Sequence, residues 1–149
     1  NASNVVHGSA GLTLAKALTV YESFGAADVP DDGQRYFVVS PAGWADLLQI
    51  DQFSRAEYVG EADLPYAGGL TAKRWLGFMW FTHSGLSKAS TTRDCHAYHK
   101  SAVGVAMGSD IRTEINYIPE KVSNLITSYM SLGVVEIDGN GMIECQITE

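Results

Sequence analysis

Residues 109–148 read SDIRTEINYIPEKVSNLITSYMSLGVVEIDGNGMIECQIT, and the periodicity of this stretch decides how the rest of the chain is read. At its start Ile111, Thr113, Ile115 and Tyr117 alternate with Arg112, Glu114 and Asn116. A period of two is the signature of a strand with one buried and one wet face. Beyond Pro119 the spacing changes. Val122, Leu125, Ile126, Tyr129 and Met130 fall at i, i+3, i+4, i+7 and i+8, which predicts an amphipathic helix that Gly133 would end. Asp138-Gly139-Asn140-Gly141 then offers the residues a hairpin turn wants. On that reading Val135, Ile137, Ile143, Cys145 and Ile147 share one face of two closing strands, with Glu136, Glu144 and Gln146 on the other.

Working back toward the N-terminus, a polar lead-in over 3–11 precedes a helix expected over 12–26, with Leu14, Leu18, Tyr21 and Phe24 near one face. Asp28-Val29-Pro30-Asp31-Asp32-Gly33 is a turn, and Arg35-Tyr36-Phe37-Val38-Val39 a short buried strand. Ser40-Pro41 opens a second helix, because Ser can cap an orphan N–H and Pro suits the first helical position. Trp44, Leu47 and Leu48 would face inward. From Gln49 to Ala72 the periodicity dissolves. Trp75 to Thr82 then reads as one aromatic central strand with a bulge at Gly77, followed by short strands near 96–99 and 102–106. The fold class expected is α+β, with helices covering a largely antiparallel sheet.

Bulk properties narrow the function. The 149 residues are 46% hydrophobic and 18% charged, enough for one domain with a sizeable core. The formal charge is −7, and the ten basic residues are scattered, so the clustered cations that grip phosphates are missing. No sequence-specific nucleic-acid binding is expected. No stretch reaches the length of a membrane span, and no basic segment followed by an apolar run marks a signal peptide. Two cysteines, Cys95 and Cys145, are too few for a disulfide scaffold and read as free thiols.

Candidate chemistry is thin. Cys95-His96-Ala97-Tyr98-His99 holds zinc-type donors, but on a strand Cys95 and His99 share one face while His96 points to the other. Asp28, Asp31 and Asp32 lack the distal Glu of a calcium loop. His83-Ser84-Gly85 is not a nucleophile elbow, and Gly104 to Gly108 lacks the ending of a phosphate loop. No catalytic, cofactor or metal residue is therefore assigned, and no enzyme activity is expected. The 49–72 stretch is more informative. Arg55, Glu57, Tyr58 and Tyr66 combine the aromatic and charged types favoured at protein interfaces, and are the candidate subunit-contact residues.

Three stretches together resemble the tailed-bacteriophage major capsid (coat) protein family, whose fold also serves encapsulin compartments. They are KALTVYESFGAADVPDDGQRYFVVSPAGWADLL (16–48), LGFMWFTHSGL with CHAYHKSAVGVAMG (76–86 and 95–108), and the stretch 109–148 quoted above. The match covers nearly all of 12–149 and looks like the second half of such a subunit. The resemblance implies a flexible lead-in over 1–11, an axial-type capsid domain over 12–133, and strands over 134–149 returning toward a peripheral domain. The N-terminal arm, extended loop and spine helix of the family are unmatched. It further implies a structural role in an icosahedral shell around DNA and self-association into pentamers and hexamers. Scaffolding and portal proteins are the other implied partners, with assembly in the bacterial host cytoplasm. Two other classes stay open on the residues: a soluble phage or host adaptor domain, and a Cys95/His96/His99 metal-site protein. The coat reading expects 141–148 to lack part of their sheet or to pair with a neighbouring chain, and the adaptor reading expects a complete fold there.

Overall fold

The computed structural model describes residues 3–6, 8–54 and 72–149. In chain order the elements are β1 (Ser3–Val5), α1 (Leu14–Ala26), β2 (Arg35–Val39), α2 (Pro41–Leu48), α3 (Asp51–Ser54), β3 (Ala72–Trp75), β4 (Phe78–Thr82) and β5 (Lys88–Ala89). They continue with β6 (Thr92–His99), β7 (Val103–Ile118), β8 (Ser123–Glu136) and β9 (Met142–Thr148). The chain divides into two compact units, residues 1–102 with 138–149, and residues 103–137.

In the first unit the strands form one mixed sheet in the order β1-β9-β6-β2-β4-β3, with β5 pairing β6. Two pairs are parallel, β2 with β4 and β1 with β9, and the other four are antiparallel, as expected of a largely antiparallel sheet. Alternation along β2, β6 and β9 buries every second residue. Phe37, Val39, Cys95, Ala97, Ile143, Cys145 and Ile147 enter one core together with Phe78 and Trp80. Phe37 and Trp80, on neighbouring parallel strands, stack with ring centroids 4.0 Å apart and 10° between planes. Phe78 meets Phe24 of α1 edge-on at 5.2 Å. Such aromatic pairs add about 0.5–1.5 kcal/mol each beyond the area they bury.

Ser40 caps α2 as expected: its hydroxyl oxygen accepts from the Gly43 amide, and Pro41 starts the helix. Helix α1 begins at Leu14 behind a Thr13 cap, and its buried stripe is Ala17, Val20 and Phe24. Leu18 and Tyr21, expected inside, are 44% and 43% exposed. The small Ala17 takes the inward position instead, 1% exposed.

Three expectations need correction. The aromatic run 75–82 is two strands, not one, reversed at Leu76-Gly77, both with positive φ (48° and 76°). That pair of left-handed residues is the tight hairpin turn whose twist matches its strands. The helix expected after Pro119 is instead β8, antiparallel to β7 over a register from Val103↔Glu136 to Ile118↔Ser123. Pro119–Lys121 is a single 3-10 turn between them. Finally, β9 pairs β6 along its whole length and β1 over residues 143–145, whereas 134–136 belong to β8. Residues 134–137 therefore do not share a face with 143–147. The compact units divide at Val103 and Ile137, because the whole hairpin is inserted between two neighbouring strands of the main sheet.

The insertion point is closed. The Asp138 amide donates to the Ala102 carbonyl at 3.4 Å, and a Cβ added to Gly141 would meet that of Ala102 at 2.7 Å. Among the described residues, the strands of the main unit thus pair only with one another and not with residues 103–137. Replacing 103–137 by an Asn-Gly link should leave a cooperatively melting domain, with Tm within about 5 °C of the parent chain, a shift worth about 1 kcal/mol. Thermal circular dichroism measures this; a broad, non-cooperative melt would mean that the main sheet needs the hairpin.

Candidate assembly surfaces

Arg55, Glu57, Tyr58 and Tyr66, the residues expected at subunit contacts, lie outside the described residues. The other sequence candidates are placed.

The Cys95–His99 segment forms β6 and separates its donors as the strand period requires. Cys95 and His99 are buried on the core side, while His96 is half-buried on the other face, opposite Glu144. Cys95 is directly opposed to Cys145 of β9. Burial pushes the two thiols up to about 11 and about 12, so neither is a thiolate near neutral pH. His99 is tied to other work. Its Nε2 lies 3.0 Å from Asp32 Oδ1, and its Nδ1 lies 2.7 Å from Ser101 Oγ and accepts the Ser101 amide at 3.3 Å. A serine bonded through both hydroxyl and amide to one ring nitrogen is a turn capped by an imidazole. A nucleophile free to attack would need a different arrangement.

The acidic turn 28–33 is held by the same logic. Hydrogen bonding from His99 holds the Asp32 carboxyl below the usual range, aided by the Gln34 amide. Arg35, 4% exposed, donates to the Val29 and Pro30 carbonyls and lies 3.8 Å from Asp31. Its guanidinium also sits over Phe24 and Phe78. The three aspartates shape a turn at the base of β2. Among the described residues no group of three or more His, Cys, Asp or Glu could hold a metal ion. Among them, too, no helix is long and apolar enough to cross a membrane.

The strongest surface signal is the one the sequence reading missed. In the 103–137 hairpin no residue is buried, and β8 is exposed along its whole length. Directly opposed pairs are apolar: Val105 with Val134, Met107 with Leu132, and Ile115 with Ile126. Val105, Met107, Ile115 and Ile126 are each 65–69% exposed. The opposite side carries Val135 and Ile137, 62% and 68% exposed, against Gly104. Polar ties are few: Thr113 and Ser128 hydroxyls at 2.9 Å, and Tyr129 Oη donating to Glu114 at 3.1 Å. A two-stranded ribbon is marginal in water, and this one exposes apolar residues on both faces. The signal that could have found it was composition, since 122–135 is rich in Val, Ile, Tyr, Ser and Thr, poor helix formers all.

A second surface feature gathers charge. Glu149 lies 3.2 Å from Lys88 and 3.1 Å from Arg93, which also donates to the Leu86 carbonyl at 2.7 Å. Burial raises the Glu149 carboxyl, but hydrogen bonds from Ser40, Arg93 and Lys88 outweigh it and hold the group at about 2.

Comparison with known proteins follows the same lines. The profile of the family described as phage capsid protein matches residues 1–149. No curated protein matches the sequence. Among solved structures, one from Mycobacterium phage Che8 is similar with a TM-score of 0.76 at 19% identity, covering 97% of this chain and 53% of that one. The capsid of cyanophage P-SCSP1u is similar at 0.70 and 17% identity, covering 100% and 54%. The holo-encapsulin complex of Synechococcus elongatus reaches 0.62 at 9% identity, covering 98% and 53%. The chain thus spans about half the length of the structures it matches, and at these identities the likeness is one of fold.

The Glu149 network predicts an acid response. A carboxyl held at about 2, against an ordinary 4.5, gives stability that is complete above pH 4.5 and drains away as pH falls toward 2. Glu149→Gln should lower stability at pH 7 and flatten the loss between pH 4.5 and 2. Urea melts of both proteins at pH 7, 4 and 3 measure it, and parallel pH profiles would remove Glu149 from the acid response.

Proposed function

Because the chain belongs to the phage capsid protein family, we propose that it is the shell-forming part of a tailed-phage or prophage coat subunit. On this reading it associates with copies of itself into capsomers that enclose DNA. The observation that carries the reading is the whole-length family match joined to a hairpin whose apolar faces have no cover within the described residues. A folded unit that keeps its aromatic core buried and leaves a 35-residue ribbon apolar on both sides is built to be completed by other protein.

The main unit, 1–102 with 138–149, takes the axial role near the five-fold or six-fold centre of a capsomer. Residues 103–137 take the peripheral role, in place of the expected 134–149. The supporting contrast is burial: among the described residues the buried hydrophobic side chains all lie within the main unit. Arg55, Glu57, Tyr58 and Tyr66 supply contacts between axial units, where many modest contacts repeated by symmetry hold a closed shell. The charge of −7 suits an inner surface that must lie near DNA without gripping it. Scaffolding and portal proteins are the further partners, and assembly takes place in the bacterial cytoplasm before the protein resides in the virion capsid.

The test is negative-stain electron microscopy of the full-length coat protein, expressed with its neighbouring phage genes. Closed, uniform shells are expected, and only soluble monomers would end the coat reading. Ile126→Lys sharpens it. Ile126 is 65% exposed, so the change should alter the stability of this chain by no more than about 0.5 kcal/mol. In the full-length protein it should abolish shells, because a lysine would then be buried unpaired. Alanine at Arg55, Glu57, Tyr58 and Tyr66 together should reduce shell yield, and unchanged yield would remove those residues from the interface.

A further inference from the structure

The chain has two cysteines, far apart in sequence, and the fold sets them directly opposite one another. Cys95 of β6 and Cys145 of β9 are Cα partners in an unbroken antiparallel register from Thr92↔Thr148 to Tyr98↔Met142. Just past that register the Glu149 amide donates to the Thr91 carbonyl at 2.8 Å. Hydrogen-bonded and open pairs alternate along an antiparallel ladder. Counting from the Thr91–Glu149 bond, Cys95 and Cys145 form a hydrogen-bonded pair, whose Cα atoms lie about 5.5 Å apart. Disulfides span Cα separations of about 4.4–6.8 Å. Both side chains are fully buried, so the two thiols enter the same dry layer. As packing alone, either position would accept another small apolar residue; two opposed thiols add the ability to bond.

We propose that Cys95 and Cys145 are a latent disulfide, a dithiol in reducing surroundings that an external small-molecule disulfide converts into a covalent staple between β6 and β9. The staple closes a loop of about fifty residues that contains the whole 103–137 hairpin. It therefore fixes the strand pair that joins the two ends of the main unit, whatever force reaches the hairpin. The inference stands on the main unit alone. Only its use rests on the coat reading, since a shell that leaves its host passes from reducing to oxidising surroundings.

The native fold guards the reaction. Burial keeps both thiols protonated, and a thiol must become a thiolate to attack. The opening that permits this is local, because β1 covers the outer side of β9 only over 143–145. One cysteine then loses its proton to solvent, and its sulfur attacks the external disulfide. A small thiolate leaves and a mixed disulfide remains on the protein. As the strands re-pair in register, the second cysteine gives up its proton and displaces the remaining small thiolate. The protein loses two hydrogens as one S–S bond forms, and the external disulfide is reduced to two thiols.

The test uses residues 1–149 with oxidised glutathione as the oxidant, in urea below the unfolding midpoint so that β9 opens. After the urea is removed, alkylation under denaturing conditions and mass spectrometry count the thiols. The expected product is a monomer lighter by two hydrogens, with no free thiol, that dithiothreitol restores. It should melt about 5–10 °C above the reduced chain. Cys95→Ala and Cys145→Ala, made singly, should take up one glutathione and show no such gain. The decisive comparison is between two redox forms of the parent, so poor folding of either variant leaves it intact. A parent that keeps both thiols, gains only glutathione, links only to other chains, or bonds without a rise in Tm would overturn the proposal. The bond is read without shells, so a full-length protein that forms none would end the coat reading and leave the staple standing.

Discussion

Strands β6 and β9 pair antiparallel over seven residues, from Thr92↔Thr148 to Tyr98↔Met142, although the whole hairpin separates them in sequence. The sheet depends on this pairing. Without β9, β6 would lose its outer neighbour, β1 would have no strand to lie against, and Cys145, Ile143 and Ile147 would leave a hole beside Cys95 and Ala97. Holes of that size cost several kcal/mol in a packed core. The constraint is therefore on chain order. The main unit cannot finish folding until the chain has passed through β7 and β8 and returned at Asp138. The Ala102–Asp138 backbone bond and the side-chain-free Gly141 let it return in register whatever the inserted ribbon is doing.

That arrangement separates two energetic problems. The main unit buries its aromatic residues against α1, α2 and α3, and even its buried cations are satisfied. Arg35 is held by carbonyls and aromatic rings, and Lys73 donates to the Phe53 carbonyl while lying 4.5 Å from the centre of the Phe53 ring. The ribbon does the opposite, leaving apolar side chains in water on both faces. At about 25 cal/mol per Å² of apolar surface removed from water, covering each large side chain of this kind is favourable by about 1.5–3 kcal/mol. A monomeric binding module would have little reason to carry so much uncovered surface.

How far the sequence could be read follows from which faces are buried. The Ser40-Pro41 helix start, the turn at 28–33, β2 and the inward alternation of β6 and β9 were all legible, because each has one dry side and standard caps or turn residues. The long segment 119–133 was not. A strand whose two faces both carry apolar residues loses the alternation that marks a strand. In β8 the surviving apolar positions happen to fall at helical spacing. The inner face of α1 was misjudged for a related reason: large residues were counted, and Ala17 was passed over although it is 1% exposed. At Leu76-Gly77 a bulge was expected where two left-handed residues make a complete reversal, since Leu gives no warning of positive φ. Of the candidate site, the sequence supplied residues at 55–66 that the described structure does not reach, and it overlooked the ribbon.

Both kinds of misreading point the same way. In a self-contained domain, local rules and tertiary structure agree, because every element finds its partners inside the same chain. The main unit follows this in its described residues: Ser40 caps α2, both thiols are buried, and Glu149 is paired with Arg93. Rules fail in β8, which has the pattern of one element and the structure of another, and at Val122, which holds a conformation its side chain opposes. Such failures become consistent once the relevant folding unit is larger than the segment in view. The alternation missing from β8 is then the pattern of a strand buried on both faces.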